Sequence, residues 1–129
     1  MRTIWLLAAC TIIPAMACHH GTRTAEHPGI SSASTEPSIV RVENKQWLDV
    51  VVYVEHDGQR SRLGTVTATS TANFTLRPTM IGGMGEIQLI ADPVGSQTTT
   101  ATGTIVVKPG THVDWTLQTD LARSSVSVY

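Results

Sequence analysis

From Ser38 to the last residue, Tyr129, apolar side chains recur at every second position rather than every third or fourth. That period belongs to a strand with one buried face, because successive side chains point to opposite sides of a pleated backbone. The clearest run is residues 47–55. There Leu48, Val50, Val52 and Val54 share one face, and Trp47, Asp49, Val51, Tyr53 and Glu55 share the other. Asp57-Gly58 follows, a pair that tolerates the positive φ of a tight hairpin turn, and residues 59–67 are the expected return strand. Further alternating runs cover residues 39–43, 72–76, 86–91, 101–108, 112–118 and 124–129. Their expected inward residues are Phe74 and Leu76, then Ile87 and Leu89, then Ile105 and Val107. Val113, Trp115 and Leu117, and finally Val126 and Val128, complete the set. Arg77-Pro78, Asp92-Pro93 with Gly95-Ser96, and Pro109-Gly110 punctuate the runs as turns. No ten-residue stretch shows a capped helical period, although residues 119–123 have room for one helical turn. About eight strands with a turn every eight to twelve residues predict an all-β fold, an antiparallel β-sandwich over residues 38–129. Immunoglobulin-like and transthyretin-like arrangements both fit; the Cys…Trp…Cys pattern of true immunoglobulin domains is absent.

The pattern is different upstream. Residues 3–17 carry no charge and are mostly apolar behind a lone Arg2. The run has the make-up of a signal-peptide core and is too short and too poorly flanked for a stable membrane-spanning helix. Ala15-Met16-Ala17 is an A-x-A cleavage site, and the next residue is Cys18. The segment resembles a bacterial lipoprotein signal, in which the first residue of the mature chain is a cysteine that takes up lipid. Leucine is more usual where Ala15 stands. Leu7-Ala8-Ala9-Cys10 matches the lipobox pattern better, but only seven residues separate Arg2 from Cys10, the lower edge for such a core. Cys18 is therefore the expected lipidation site and Cys10 the second choice. The competing reading is a plain secretory signal cut at the same bond, with Cys18 left as a free thiol. No cysteine follows Cys18, and a lone thiol in an oxidising compartment is a liability, so modification is favoured. His19 stands where an Asp would signal retention in the inner membrane, which points to the outer membrane in a bacterium that has one.

Residues 19–37 are rich in His, Gly, Thr, Ser, Ala and Pro, with Ile30 as the one large apolar side chain. Such a segment buries too little surface to offset its ordering entropy and reads as a flexible tether reaching roughly 25 Å. The expected organisation is a signal peptide over 1–17, lipidated Cys18 with a linker over 18–37, and a β domain over 38–129. The partners this implies are a membrane, held through the lipid, and an envelope protein.

Charge and chemistry narrow the functional classes. Nine Lys and Arg against ten Asp and Glu give a net charge of −1, so no basic surplus suggests nucleic acid and no acidic block suggests a charged tail. The charged fraction of 15% is low, but ample Val, Leu and Ile argue against disorder. The β domain has no Cys and no G-x-S-x-G elbow, and only His56 and His112 are candidate bases. Asp114 shares a strand face with His112, an arrangement more common as a solvated pair than as a catalytic one. Asp49 and Glu55 are about 20 Å apart along a strand, too far for a glycosidase pair. Catalysis is not expected. His19, His20 and His27 lack further ligands at metal-binding spacing, and Met80, Met84 and His112 suit Cu(I) in kind but not in spacing. No metal or cofactor is expected.

Two surface candidates remain. The stretch Met80-Ile81-Gly82-Gly83-Met84-Gly85 is expected to be a mobile loop, and no Lys-Ser/Thr follows to make it a phosphate cradle. Its Met80, Ile81 and Met84 are either an adaptable contact for a partner or a cap folded back over the core. Trp47 and Tyr53, on one strand face, are either a glycan platform or packing beneath a loop. The alternating end of the chain, residues 125–129, resembles the last strand of an outer-membrane barrel, but the strands are too short for a lipid-facing band, and a last sandwich strand is expected.

The stretch Asn44-Lys45-Gln46-Trp47-Leu48-Asp49, continuing through Val50-Val51-Val52-Tyr53-Val54 to Val66, resembles a pattern in small uncharacterised bacterial lipoproteins. Ala91-Asp92-Pro93 and Trp115-Thr116-Leu117 are similar to later segments of the same family, so the likeness spans most of residues 40–129. It implies an envelope compartment and an immunoglobulin-like or transthyretin-like sandwich, and carries no activity and no functional residue. Together these readings describe a lipid-anchored interaction or structural module of the cell envelope. The competing class is a periplasmic or surface protein that binds a glycan or a metal.

Trp115 tests the inward assignments. Trp115→Ala is expected to cost about 3–5 kcal/mol in chemical denaturation, a large share of a small domain's stability. A variant melting within about two degrees of the parent chain would place the indole outside the core.

Overall fold

The alternation becomes strands because Val, Ile and Leu at every second position can cover one side of a sheet, and two such sides cover each other. The computed structural model describes residues 36–129. It contains β1 (Ser38–Asn44), β2 (Val50–His56), β3 (Gln59–Val66), β4 (Thr71–Leu76), β5 (Glu86–Pro93), β6 (Thr100–Ala101), β7 (Ile105–Val106), β8 (His112–Leu117) and β9 (Ser125–Val128). Single 3-10 turns stand at Pro78–Met80 and Leu121–Arg123. The signal segment, Cys10, Cys18 and the linker up to residue 35 lie outside the described residues.

Two sheets result. One has the order β4-β1-β8-β9; the other has β3-β2-β5-β6, with β7 pairing farther along β5. Val40, Val42, Val113, Trp115 and Leu117 from the first sheet join Val50, Val52, Val54, Ile87 and Leu89 from the second in one buried cluster. The Asp57-Gly58 hairpin has positive φ at both residues, +49° and +74°, as a primed turn requires. Leu63 is an extra residue, since Val52 pairs with Gly64 while Tyr53 pairs with Arg62. The bulge brings Gly64 against Phe74; a Cβ there would lie 2.5 Å from the ring.

The fold departs from the sequence reading in four places. First, β1 and β8 run parallel, Ile39 opposite His112 and Asn44 opposite Leu117, so the sandwich is not wholly antiparallel. Hairpins link only neighbours in the chain, whereas here the whole second sheet intervenes between the two partners, and no hairpin constrains their direction. Second, β2 begins at Val50: Trp47 and Leu48 lie in an exposed bend, and Asp49 uses its carboxylate to accept from Ala68 N at 2.9 Å. Third, the strand expected over 101–108 is cut in two. Buried Thr102 substitutes its hydroxyl for a backbone carbonyl, accepting Leu89 N–H at 3.0 Å while its own N–H donates to Leu89 O at 2.9 Å. Asp92-Pro93 also stays within β5, and the turn falls at Gly95 with φ +82°. Fourth, Val128 is exposed at the end of edge strand β9, and only Val126 packs against the core there.

The chain passes from the first sheet to the second after β1, and a buried amide fixes that corner. Asn44 Nδ2 donates to Leu48 O at 2.9 Å, Thr67 O at 3.2 Å and Val66 O at 3.3 Å, and Asn44 Oδ1 accepts Gln46 N–H at 2.9 Å. Gln46 in turn donates through Nε2 to Gln118 O at 2.7 Å and Thr119 O at 3.0 Å. The facing turn is held in kind: Thr69 N–H donates to Gln46 O at 3.0 Å, and Thr69 takes φ +54°, a strained conformation for a β-branched residue. Asn44→Ala is expected to lower stability by about 1–3 kcal/mol, because carbonyls in a buried corner lose their donor. The check is a lower denaturant midpoint with an unchanged slope.

Candidate functional site

The opposite end of β1, at Ser38, has a different character. β4 stops at Arg77-Pro78, where proline holds Arg77 extended at φ −80°, ψ 149° and opens a 3-10 turn. Met80 N–H donates to Arg77 O at 2.8 Å and Ile81 N–H to Pro78 O at 3.2 Å. The chain then returns to β5 through Gly82, Gly83, Met84 and Gly85. Gly82 and Gly85 adopt φ +70° and +72°, the left-handed region that glycine enters without penalty. Gly85 O accepts Val107 N–H at 2.7 Å, and a Cβ on Gly85 would lie 2.7 Å from Val107 O. A Cβ on Gly82 would meet Asp57 Oδ2 at 3.0 Å and His56 Nδ1 at 3.1 Å. The loop is thus pinned between the β2–β3 hairpin and the segment after β7, with only Gly83 and Met84 unconfined.

This arrangement divides the three loop residues singled out in the sequence. Met80 and Ile81 are half-buried and pack against the core, whereas Met84 is 84% exposed. Beside the loop lies a cleft of about 550 Å3. Pro37, Pro78 and Pro109 line it, it reaches the core at Leu76 and Val107, and Ile81 and Met84 close it on the loop side. Glu36, Arg77 and Lys108 are its charged members.

The remaining candidates are dispersed. Trp47 is 79% exposed in the bend before β2 and does not share a strand face with Tyr53. Tyr53 instead carries the Arg60 guanidinium over its ring, 5.8 Å from the centroid, and Arg60 Nε donates to Glu55 Oε2 at 3.2 Å. His112 and Asp114 are not paired. The His112 ring stacks on Tyr129, centroids 6.0 Å apart, and the Tyr129 hydroxyl donates to Asp114 Oδ2 at 2.8 Å. That hydrogen bond to a carboxylate holds the Tyr129 phenol above its ordinary pKa. The His56 side chain is 11% exposed beneath the loop, and its Nδ1 makes no hydrogen bond, lying 3.5 Å from Asp57 Oδ2. Among the described residues no three His, Cys, Asp or Glu side chains gather as a metal site would require.

Sequence reading found the loop but not the rest of the cleft. A signal was present: Glu36-Pro37, Arg77-Pro78 and Lys108-Pro109 each join a charged residue to a proline, and all three pairs converge there. Sequence separation hid the convergence.

No protein-family model matches the chain, and no curated protein matches it. Among solved structures, the NMR structure of a protein from Eubacterium rectale is similar, with 16% identity, a TM-score of 0.46, and coverage of 74% of this chain and 89% of that one.

The glycines make the loop geometry testable. Gly85→Ala is expected to cost about 1–3 kcal/mol and to speed hydrogen exchange at the Val107 amide. Gly83→Ala, with no atom within 4 Å of the added Cβ, is expected to leave stability within about 0.5 kcal/mol.

Proposed function

We propose that the chain is a lipid-anchored, non-catalytic module of the bacterial cell envelope, held through Cys18 at the outer membrane and acting on an envelope partner through the cleft end of its β domain. The observation that carries the contact site is the division of the loop: Met80 and Ile81 brace it against the core, and Met84 stands free beside an apolar cleft. A flexible thioether next to such a hollow suits an adaptable contact. The non-catalytic reading draws support from Asp114, whose carboxylate is engaged by Tyr129 and not by His112.

Of the two sandwich types, we favour the transthyretin-like arrangement. An immunoglobulin constant-type sandwich keeps its first two strands in one sheet. Here β1 and β2 lie in different sheets, and β1 pairs with β4 and β8.

The anchor is tested by intact mass after expression in a bacterium that processes lipoproteins. The expected mature chain begins at Cys18 and carries the added mass of its acyl groups, and Cys18→Ser leaves the protein uncleaved or soluble in the periplasm. A mature chain with an unmodified Cys18 refutes the anchor.

A further inference from the structure

We infer that the cleft binds a single aliphatic chain with an anionic head, a free long-chain carboxylate. This rests on the cleft being the contact site, as proposed above, but not on the lipid at Cys18. Pro37, Pro78 and Pro109 have no N–H to offer. Several neighbouring backbone groups are already bonded within the fold: Val107 N–H to Gly85 O at 2.7 Å, Gly110 N–H to Glu36 O at 3.0 Å, and Ile81 N–H to Pro78 O at 3.2 Å. Lys108 O accepts both Ser38 Oγ at 2.7 Å and Thr111 N at 3.0 Å, and Lys108 N–H donates to Thr111 Oγ1 at 2.9 Å. A bound peptide strand needs a run of main-chain partners, and these groups are not free to be among them. An alkyl chain needs none.

The volume of about 550 Å3 lies within the range of roughly 300–1,000 Å3 typical of small-molecule pockets. Neither the Arg77 guanidinium nor the Lys108 ammonium forms an ion pair or a side-chain hydrogen bond with a described residue. Glu36, the one anion among the described residues that line the cleft, lies against Gly110, where its Oε2 would be 3.1 Å from an added Cβ. Two uncommitted cations beside an aliphatic hollow complement a carboxylate whose tail occupies it. Met84, 84% exposed and free of contacts that would fix it, is placed to fold over the tail.

The test uses the full chain carrying Cys18→Ser, so that no attached lipid competes, with methyl NMR of Met84 and Ile81 as a readout confined to the cleft. Dodecanoate, titrated below its micelle concentration, is expected to shift both methyl signals saturably. Dodecanol is expected to bind more weakly, and dodecyltrimethylammonium weaker still. Arg77→Gln with Lys108→Gln should weaken dodecanoate about tenfold or more and leave dodecanol nearly unchanged. Met84→Glu, at an exposed position that leaves folding intact, should weaken both.

The inference fails if neither methyl moves, if the anionic and cationic amphiphiles bind equally, or if the double variant binds dodecanoate as the parent does. It also fails if a blocked tetraleucine peptide displaces dodecanoate from the same methyls, which would make the cleft a peptide site. A silent cleft in the Cys18→Ser chain, when the parent chain's mature Cys18 proves acylated, overturns the ligand and leaves the anchor. Dodecanoate binding in the Cys18→Ser chain, when the parent's Cys18 proves unmodified, does the reverse.

Discussion

The buried amide of Asn44 is the constraint on which the rest of the domain depends. A two-sheet fold must carry the chain from one layer to the other, and each passage strips backbone groups of their ladder partners inside a region that water does not reach. Those groups must find other partners or cost the full price of desolvation. Asn44 meets the requirement for two passages at once. Its amide hydrogens reach Leu48 O on the way out of β1 and Val66 O and Thr67 O on the way out of β3, while its oxygen takes the Gln46 amide. Gln46 extends the network to Gln118 and Thr119 beyond β8. Three separate chain segments are therefore locked by two neighbouring side chains, and the strained Thr69 turn persists because this network over-determines it.

The two ends of the sandwich consequently solve the same problem by different chemistry. At the Asn44 end directional hydrogen bonds fix the corners. At the Ser38 end, proline removes donors, short 3-10 bonds consume acceptors, and glycine lets the loop lie against Val107 and His56. The cleft there takes much of its lining from apolar side chains, Pro37, Leu76, Pro78, Ile81, Met84, Val107 and Pro109. Such surface is permissive: it can be left open at modest cost or covered by a nonpolar group without re-pairing any backbone.

Much of the β domain was legible in the sequence, because period-two burial is a local property. Val50, Val52, Val54, Val113, Trp115 and Leu117 all face the core as their spacing required, and Asp57-Gly58 turns as its φ tolerance required. What escaped depends on residues far apart. Trp47 and Leu48 continue the alternation of β2 but are pulled out of it by Asn44, whose hydrogen bond to Leu48 O has no signature in hydropathy. Thr102 reads as a strand residue and instead ends one, because its hydroxyl takes the place of a carbonyl. The parallel partnership of β1 and β8 is invisible to any local pattern. At the candidate site the Met-Gly loop was visible as a segment, but the hollow beside it exists only once three distant proline segments meet.

That parallel partnership also bears on how the chain reaches its folded state. β1 sits between β4 and β8 in its sheet, and the contact of Ser38 with Lys108 spans 70 residues. Loop closure over such distances is slow, and its entropy is spent before the pairing returns anything. The first sheet has only its β1–β4 pair until residues 112–117 are available. Late closure of this kind leaves the first sheet's centre waiting on the last third of the chain, so the rate of folding is expected to follow that one long-range pairing.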